Sequence, residues 1–118
     1  MSPLTELPTQ AEVWLVDFGD GLRGEPVGRR PAIVLAPTIN HARMVPTVTV
    51  IPMTRRERPY VFRHEVIPGA TNGLQSRSFA QVDQICSVNK GRLIHYAGFL
   101  DAETWFSIRE LTRAYLEM

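Results

Sequence analysis

The chain has 118 residues, 44% of them hydrophobic and 21% charged, with a net charge of +1. That length supports one hydrophobic core without disulfide or metal staples, and the composition excludes disordered, collagen-like and membrane-embedded classes. No apolar run approaches the length of a membrane span, and the single cysteine, Cys86, rules out an intrachain disulfide and suits a reducing cytoplasm.

Residues 1–10 are interrupted by prolines and a glutamate and lack a basic run ahead of an apolar one. They are expected to be a flexible lead-in rather than a secretory signal, with one folded unit over 11–118. Residues 11–18 are rich in β-formers. Val13, Leu15 and Asp17 fall on one face and Trp14, Val16 and Phe18 on the other, which predicts a strand buried at least partly on both sides. Gly19-Asp20-Gly21 breaks it. The densest stretch follows: Gly24-Glu25-Pro26-Val27-Gly28-Arg29-Arg30-Pro31, running directly into the apolar strand 32–36. A loop of this composition, held at one end by a rigid strand, is a place for binding and chemistry.

Residues 38–46 show no clear period and read as a connection. The β-branched run 47–53 predicts a third strand, with Pro52 pointing to an edge or a bulge near its end. A charged turn, 54–59, leads to a strand over 60–67, and Asn72-Gly73 marks a turn in the polar loop 70–77. Residues 78–88 alternate polar and apolar, which predicts one bent strand or two joined at a bulge. A short helical turn at 89–93 and a brief strand at 94–97 come next. The period then changes. Asp101 is an N-cap residue, and Trp105, Ile108, Leu111, Thr112 and Tyr115 recur at helical spacing, so 102–117 reads as an amphipathic helix whose aromatics belong to the core. About six antiparallel strands and one C-terminal helix make a mainly β fold, a small barrel-like sheet with the helix packed against it.

From Arg23 to Arg63 the chain carries eight arginines (Arg23, Arg29, Arg30, Arg43, Arg55, Arg56, Arg58 and Arg63) against Glu25 and Glu57. If their loops converge they face a polyanion; otherwise they are scattered solvated charges. His41, His64, His95 and Cys86 fall on separate elements without metal-ligand spacing, and no phosphate-loop or dinucleotide glycine pattern occurs, so neither metal nor cofactor is expected. Cys86 reads as structural. Glu25, Arg30 and Thr54 remain. Arg30 opens one predicted strand and Thr54 closes another, so both can reach the same rim. A guanidinium fork suits phosphate oxygens and a threonine adds a hydroxyl at short reach. That is equipment for a phosphodiester, although an Arg-Pro at a strand start can equally be structural or solvated.

The residues 24–32, Gly-Glu-Pro-Val-Gly-Arg-Arg-Pro-Ala, resemble the S-E-Q-x-G-x-R-P-(A/V) signature of the MazF/PemK toxins. Val50-Ile51-Pro52-Met53-Thr54 resembles that family's V-x-P-(L/I)-T, residues 82–93 resemble its D-Q-I-R-(T/S)-V-D-K-x-R-L block, and 98–116 its closing G-x-L and helix. The resemblance implies an SH3-like barrel, MazF/CcdB-like. It further implies a cytoplasmic homodimer acting as a metal-independent, sequence-selective endoribonuclease on single-stranded RNA, with messenger RNA the expected class. A cognate antitoxin would neutralise it. In such an enzyme the ribose 2′-hydroxyl attacks its own phosphodiester, leaving a 2′,3′-cyclic phosphate and a 5′-hydroxyl. Carried over by position, the catalytic residues are Arg30, Thr54 and Glu25, the last as candidate base. Arg29, Arg55, Arg56 and Arg58 are candidate backbone contacts and Gln84 a candidate base reader. Gly24, Pro26, Cys86 and Asn89 stand where the family pattern has serine, glutamine, arginine and aspartate. The alternatives are a non-catalytic, CcdB-like binder of DNA gyrase and a catalytically degenerate homologue that only binds an antitoxin.

Overall fold

In the computed structural model, which describes residues 7–118, the apolar runs become seven antiparallel strands and one long helix. The strands are β1 (Glu12–Asp17), β2 (Arg29–Ala36), β3 (Thr47–Thr54), β4 (Arg63–Val66), β5 (Ser78–Gln81), β6 (Cys86–Asn89) and β7 (Leu93–Phe99), and the helix is α1 (Ala102–Leu116). Their spatial order is β4-β5-β3-β2-β1-β7, with β6 also paired to β3. The sheet does not close on itself, so it is a curled open sheet rather than a strict barrel. Of the lead-in expected over 1–10, the first six residues lie outside the described part. Pro8 is buried, and Thr9 and Gln10 hydrogen-bond to Pro37 and Leu35.

The three central strands are apolar on both faces because both faces are covered. Val13, Ile33, Ile51 and Met53 form one core with Val66, Ala80, Val82, Leu100 and Ile108. Trp14, Val16, Ala32, Val34, Val48 and Val50 form the other, closed by partly buried Phe18, Cys86, Val88 and Leu93. Period-two alternation thus sends the buried apolar side chains in the middle of β1 to β3 to one core or the other. Helix α1 covers the first core with buried Ile108 and Thr112 and half-buried Trp105 and Leu111. Tyr115 sits at the margin, its ring edge-on to Phe62 at 5.0 Å. Asp101 caps the helix by accepting the Thr104 N–H at 2.7 Å, a bond that holds its carboxyl below the usual carboxylate range. Among the described residues no helix is long and apolar enough to cross a membrane.

Two sequence expectations shift in detail. The alternating stretch 78–88 is two strands, separated by a 3-10 turn at Val82–Gln84 that buries Val82 and turns Asp83 and Gln84 towards the surface. Pro52 is neither at an edge nor at a bulge. It is fully buried in β3, and it is tolerated because it falls where the neighbour of β3 changes, between Val50, the last partner of β6, and Met53, the first partner of β5.

The polar loop between β4 and β5 is clamped onto β7 at two glycines. A Cβ on Gly73, whose φ is +70°, or on Gly98 would overlap the carbonyl of Ala97 or of Thr71 respectively. Gly73→Ala is therefore expected to destabilise the protein by about 1–3 kcal/mol, through both the left-handed backbone and the overlap. Urea unfolding of the two proteins measures the difference, and an unchanged midpoint would contradict this packing.

Candidate functional site

The loop from β1 to β2 is closed at its base by two backbone bonds, Phe18 N–H to Gly28 O at 2.9 Å and Gly28 N–H to Gly19 O at 2.8 Å. Gly24 and Gly28 adopt φ of +89° and +69°, a left-handed backbone that side-chain-bearing residues rarely take. A tight turn from Leu22 to Glu25 contains Gly24, and in it the Leu22 N–H donates to Glu25 Oε1 at 2.7 Å. The loop ends on Arg30, whose Nε donates to Val27 O at 3.0 Å. That bond fixes the root of the guanidinium, and its terminal NH2 groups make no hydrogen bond among the described residues.

Register carries the next step. β2 and β3 pair with Ala32 opposite Pro52, and the same register extended by one pleat sets Arg30 opposite Thr54. Directly opposed residues share a face, with Cβ atoms about 4.5–5.5 Å apart. The Thr54 hydroxyl oxygen accepts the Arg56 N–H at 3.2 Å, which leaves the hydroxyl proton free to donate.

Glu25, Arg30 and Thr54 line one cleft of about 640 Å³, together with Arg56, Arg58 and Gln84. The structure thus brings together four of the eight arginines singled out in the sequence, Arg30, Arg56, Arg58 and Arg63. Arg55 points elsewhere, lining a second cavity that shares Thr54 with the first. Arg29, at the exposed first position of β2, does not line the cleft. Arg23 and Arg43 do not line it either, so the arginine-rich segment converges in part.

Tyr60, Gln81 and Asp83 also line the cleft, and the sequence reading assigned none of them a place in the site; Arg63 was read only as one of the arginine-rich segment's charges. Arg63 donates from Nε and Nη2 to the two oxygens of Asp83 at 2.7 and 3.2 Å and stacks over the Tyr60 ring at 4.7 Å. This planar fork sits with the Arg63 side chain only 9% exposed. Arg30, Arg56 and Arg58, by contrast, form no ion pair among the described residues. The cleft therefore presents three uncommitted guanidinium groups, a free hydroxyl donor and, besides the Asp83 engaged by Arg63, one carboxylate outside any ion pair, which is an arrangement for gripping a phosphate and moving a proton beside it. Gln81 contributes a buried Oε1 with no hydrogen-bond partner. Asp83 lies in the 82–93 block of the family resemblance but was given no place in the site there, and nothing local marks Gln81; the β4–β5 pairing of Arg63 with Gln81 brings them alongside.

Cys86 is half-buried on β6, and burial, with a smaller push from the Glu25 carboxylate, raises its thiol above the ordinary value. A thiol so held is neutral and inert as a nucleophile. Among the described residues no three histidine, cysteine or carboxylate side chains cluster as a metal site requires.

The family model of PemK-like, MazF-like toxins of type II toxin-antitoxin systems matches residues 9–116. Endoribonuclease MazF9 of Mycobacterium tuberculosis is 27% identical over 114 residues, spanning 92% of this chain and 96% of the relative. Among solved structures, MazF from Deinococcus radiodurans superposes with a TM-score of 0.77 at 24% identity, covering 95% of this chain and 98% of that one. A mycobacterial endoribonuclease in complex with its cognate antitoxin gives a TM-score of 0.72 at 20% identity, covering 94% and 96%. These structural likenesses establish the fold.

The Arg63–Asp83 fork holds the β4 side of the cleft. Asp83→Ala, which leaves the nearly buried guanidinium without its carboxylate, is expected to cost about 1.5–3 kcal/mol, as removal of hydrogen bonds to a charged group does. Thermal unfolding reads the change. A melting temperature equal to that of the parent chain would show that the pair does not support this wall.

Proposed function

The chain belongs to the PemK-like, MazF-like toxins of type II toxin-antitoxin systems, and on that premise we propose that it is an endoribonuclease cutting single-stranded RNA by attack of the ribose 2′-hydroxyl. The observation that carries the proposal is the meeting of Arg30, from the start of β2, and Thr54, from the end of β3, on the rim of one cleft that also holds Glu25 and uncommitted Arg56 and Arg58. A gyrase-binding toxin would need no such phosphate-directed pair.

Each role follows from the chemistry of the group. Arg30 is a fixed cation with two free NH2 groups, and it offsets the negative charge that builds on the phosphorus oxygens in the pentavalent transition state. Thr54 donates its hydroxyl proton to a non-bridging oxygen. Glu25 uses the carboxylate oxygen not engaged by the Leu22 N–H to take the proton from the 2′-hydroxyl. The new bond runs from O2′ to phosphorus, the bond to O5′ breaks, and the departing oxygen is protonated from solvent in the open cleft. The products are a 2′,3′-cyclic phosphate and a 5′-hydroxyl. Side chains of the chain and solvent between them supply every charge and proton, which makes the reaction independent of divalent metal.

Arg56 and Arg58 hold the RNA backbone and Gln84 reads a base edge. Arg29 and Arg55 stand outside this cleft and meet the RNA beyond it. The toxin works in the cytoplasm as a homodimer and is held in check by a cognate antitoxin. Complexes of a mycobacterial endoribonuclease and of Deinococcus radiodurans MazF with antitoxins support that last part of the reading.

The purified chain is expected to cut a pool of varied single-stranded RNA in the presence of EDTA and to leave cyclic phosphate ends. Arg30→Ala should reduce the rate at least 100-fold, about the scale seen when a preorganised charge donor is removed. Intact RNA across the whole pool would refute the nuclease; full activity in Arg30→Ala would refute the role of Arg30.

RNA affinity is also expected to fall steeply with salt. Removing one arginine that neutralises a phosphate should lower the slope of log K against log salt by about 0.7. Arg56→Ala and Arg58→Ala, measured by fluorescence anisotropy on a fixed oligonucleotide, should each show this decrement, and an unchanged slope in both would remove them from the RNA path.

A further inference from the structure

The second cavity lies across Thr54 from the first. Its volume of about 300 Å³ is at the lower end of small-ligand pockets and suits one ring system rather than a peptide segment. Leu15, Leu74 and Ala97 supply apolar walls, while His95, Gln75 and Arg55 supply an imidazole, an amide and a guanidinium. Its shape is set by rigid backbone: the loop that carries Leu74 and Gln75 is clamped to β7 by the close approach of Gly73 to Ala97. It is also fastened by Asn72, whose side chain bonds the Ile67 carbonyl and the Gly69 and Leu74 amides.

We propose that this cavity binds one nucleobase of the RNA, next to the phosphate held by Arg30 and Thr54, and that it sets base preference at that position. The proposal rests on the nuclease reading above. Three features support a base over other occupants. The walls are apolar enough to accept a flat ring, His95 and Arg55 are the kinds of side chain on which unstacked RNA bases stack, and Gln75 offers both a donor and an acceptor to a base edge. Thr54 belongs to both cavities, so an RNA whose phosphate lies against its hydroxyl has a neighbouring nucleotide within reach of the second.

The test separates the pocket from the nuclease by using ribonucleosides, which carry no phosphate. The full chain, labelled at methyl groups, is titrated with adenosine, guanosine, cytidine and uridine in turn. The methyl signals of Leu15, Leu74 and Ala97 are expected to shift, with one nucleoside binding about 10-fold more tightly than the weakest. Gln75→Ala/His95→Ala, both at exposed positions, should erase that difference while leaving the methyl spectrum of the free protein folded. In parallel, the cleavage profile of the double variant on a randomised RNA should lose base preference at one position beside the cut. Methyl signals indifferent to all four nucleosides, equal binding of all four, or signals that move only with protein concentration, as a second copy seated there would produce, each overturn the proposal. A chain that binds a nucleoside here yet cuts no RNA retains the pocket and refutes the nuclease; one that cuts RNA with these methyls silent does the reverse.

Discussion

The register between β2 and β3 is the constraint on which the rest depends. Because side chains alternate, a slip of one residue would send Ala32 and Val34 into the core that now holds Ile33, and would turn Arg30 away from Thr54. Two cores, one on each face, resist that slip together. A strand buried on a single face is held by half of its side chains; β2 and β3 are held by nearly all of theirs. The opposition of Arg30 and Thr54 is thus specified by apolar packing several residues away, and the polar pair need contribute nothing to stability.

Charge in the cleft is distributed with the same economy. Four guanidinium groups within one concavity repel each other, and the structure quiets one of them. Asp83 takes up Arg63, the most deeply placed, in a two-point fork, and Tyr60 covers its face. A partly buried charge left alone would be costly, whereas Arg56 and Arg58 lie exposed on the loop after β3 and need no partner. The division leaves the solvated arginines free for a polyanion and makes the buried one part of the frame.

Much of this was legible in the sequence, and for identifiable reasons. The strands and α1 showed because their periods are strong and their ends are marked by Gly, Pro and the Asp101 cap. Glu25, Arg30 and Thr54 showed because they bracket strands whose ends must meet. Arg56, Arg58 and Gln84 reached the cleft as expected of the segments that carry them, but Arg55 did not, since its neighbour Thr54 ends the strand and successive side chains diverge there. The parts that stayed hidden are non-local. Arg63 and Asp83 are twenty residues apart, and only the β4–β5 pairing joins them. Pro52 misled because a proline inside a central strand is normally excluded, and no local pattern reveals that β3 changes partners at that point.

The positions that depart from the family pattern acquire a physical meaning in this setting. Gly24 holds a left-handed backbone with open space around its Cα, so a serine there would be strained by conformation rather than by crowding. The turn that presents Glu25 is therefore built on this chain's own glycine. Cys86, in place of an arginine, puts a neutral thiol rather than a cation within electrostatic reach of the Glu25 carboxylate. The two departures act together. The left-handed glycine lies inside the turn whose Leu22 N–H holds one carboxylate oxygen, and the cysteine leaves Glu25 without an ion pair from β6, in a cleft whose positive charge comes from Arg30 and the loop after β3.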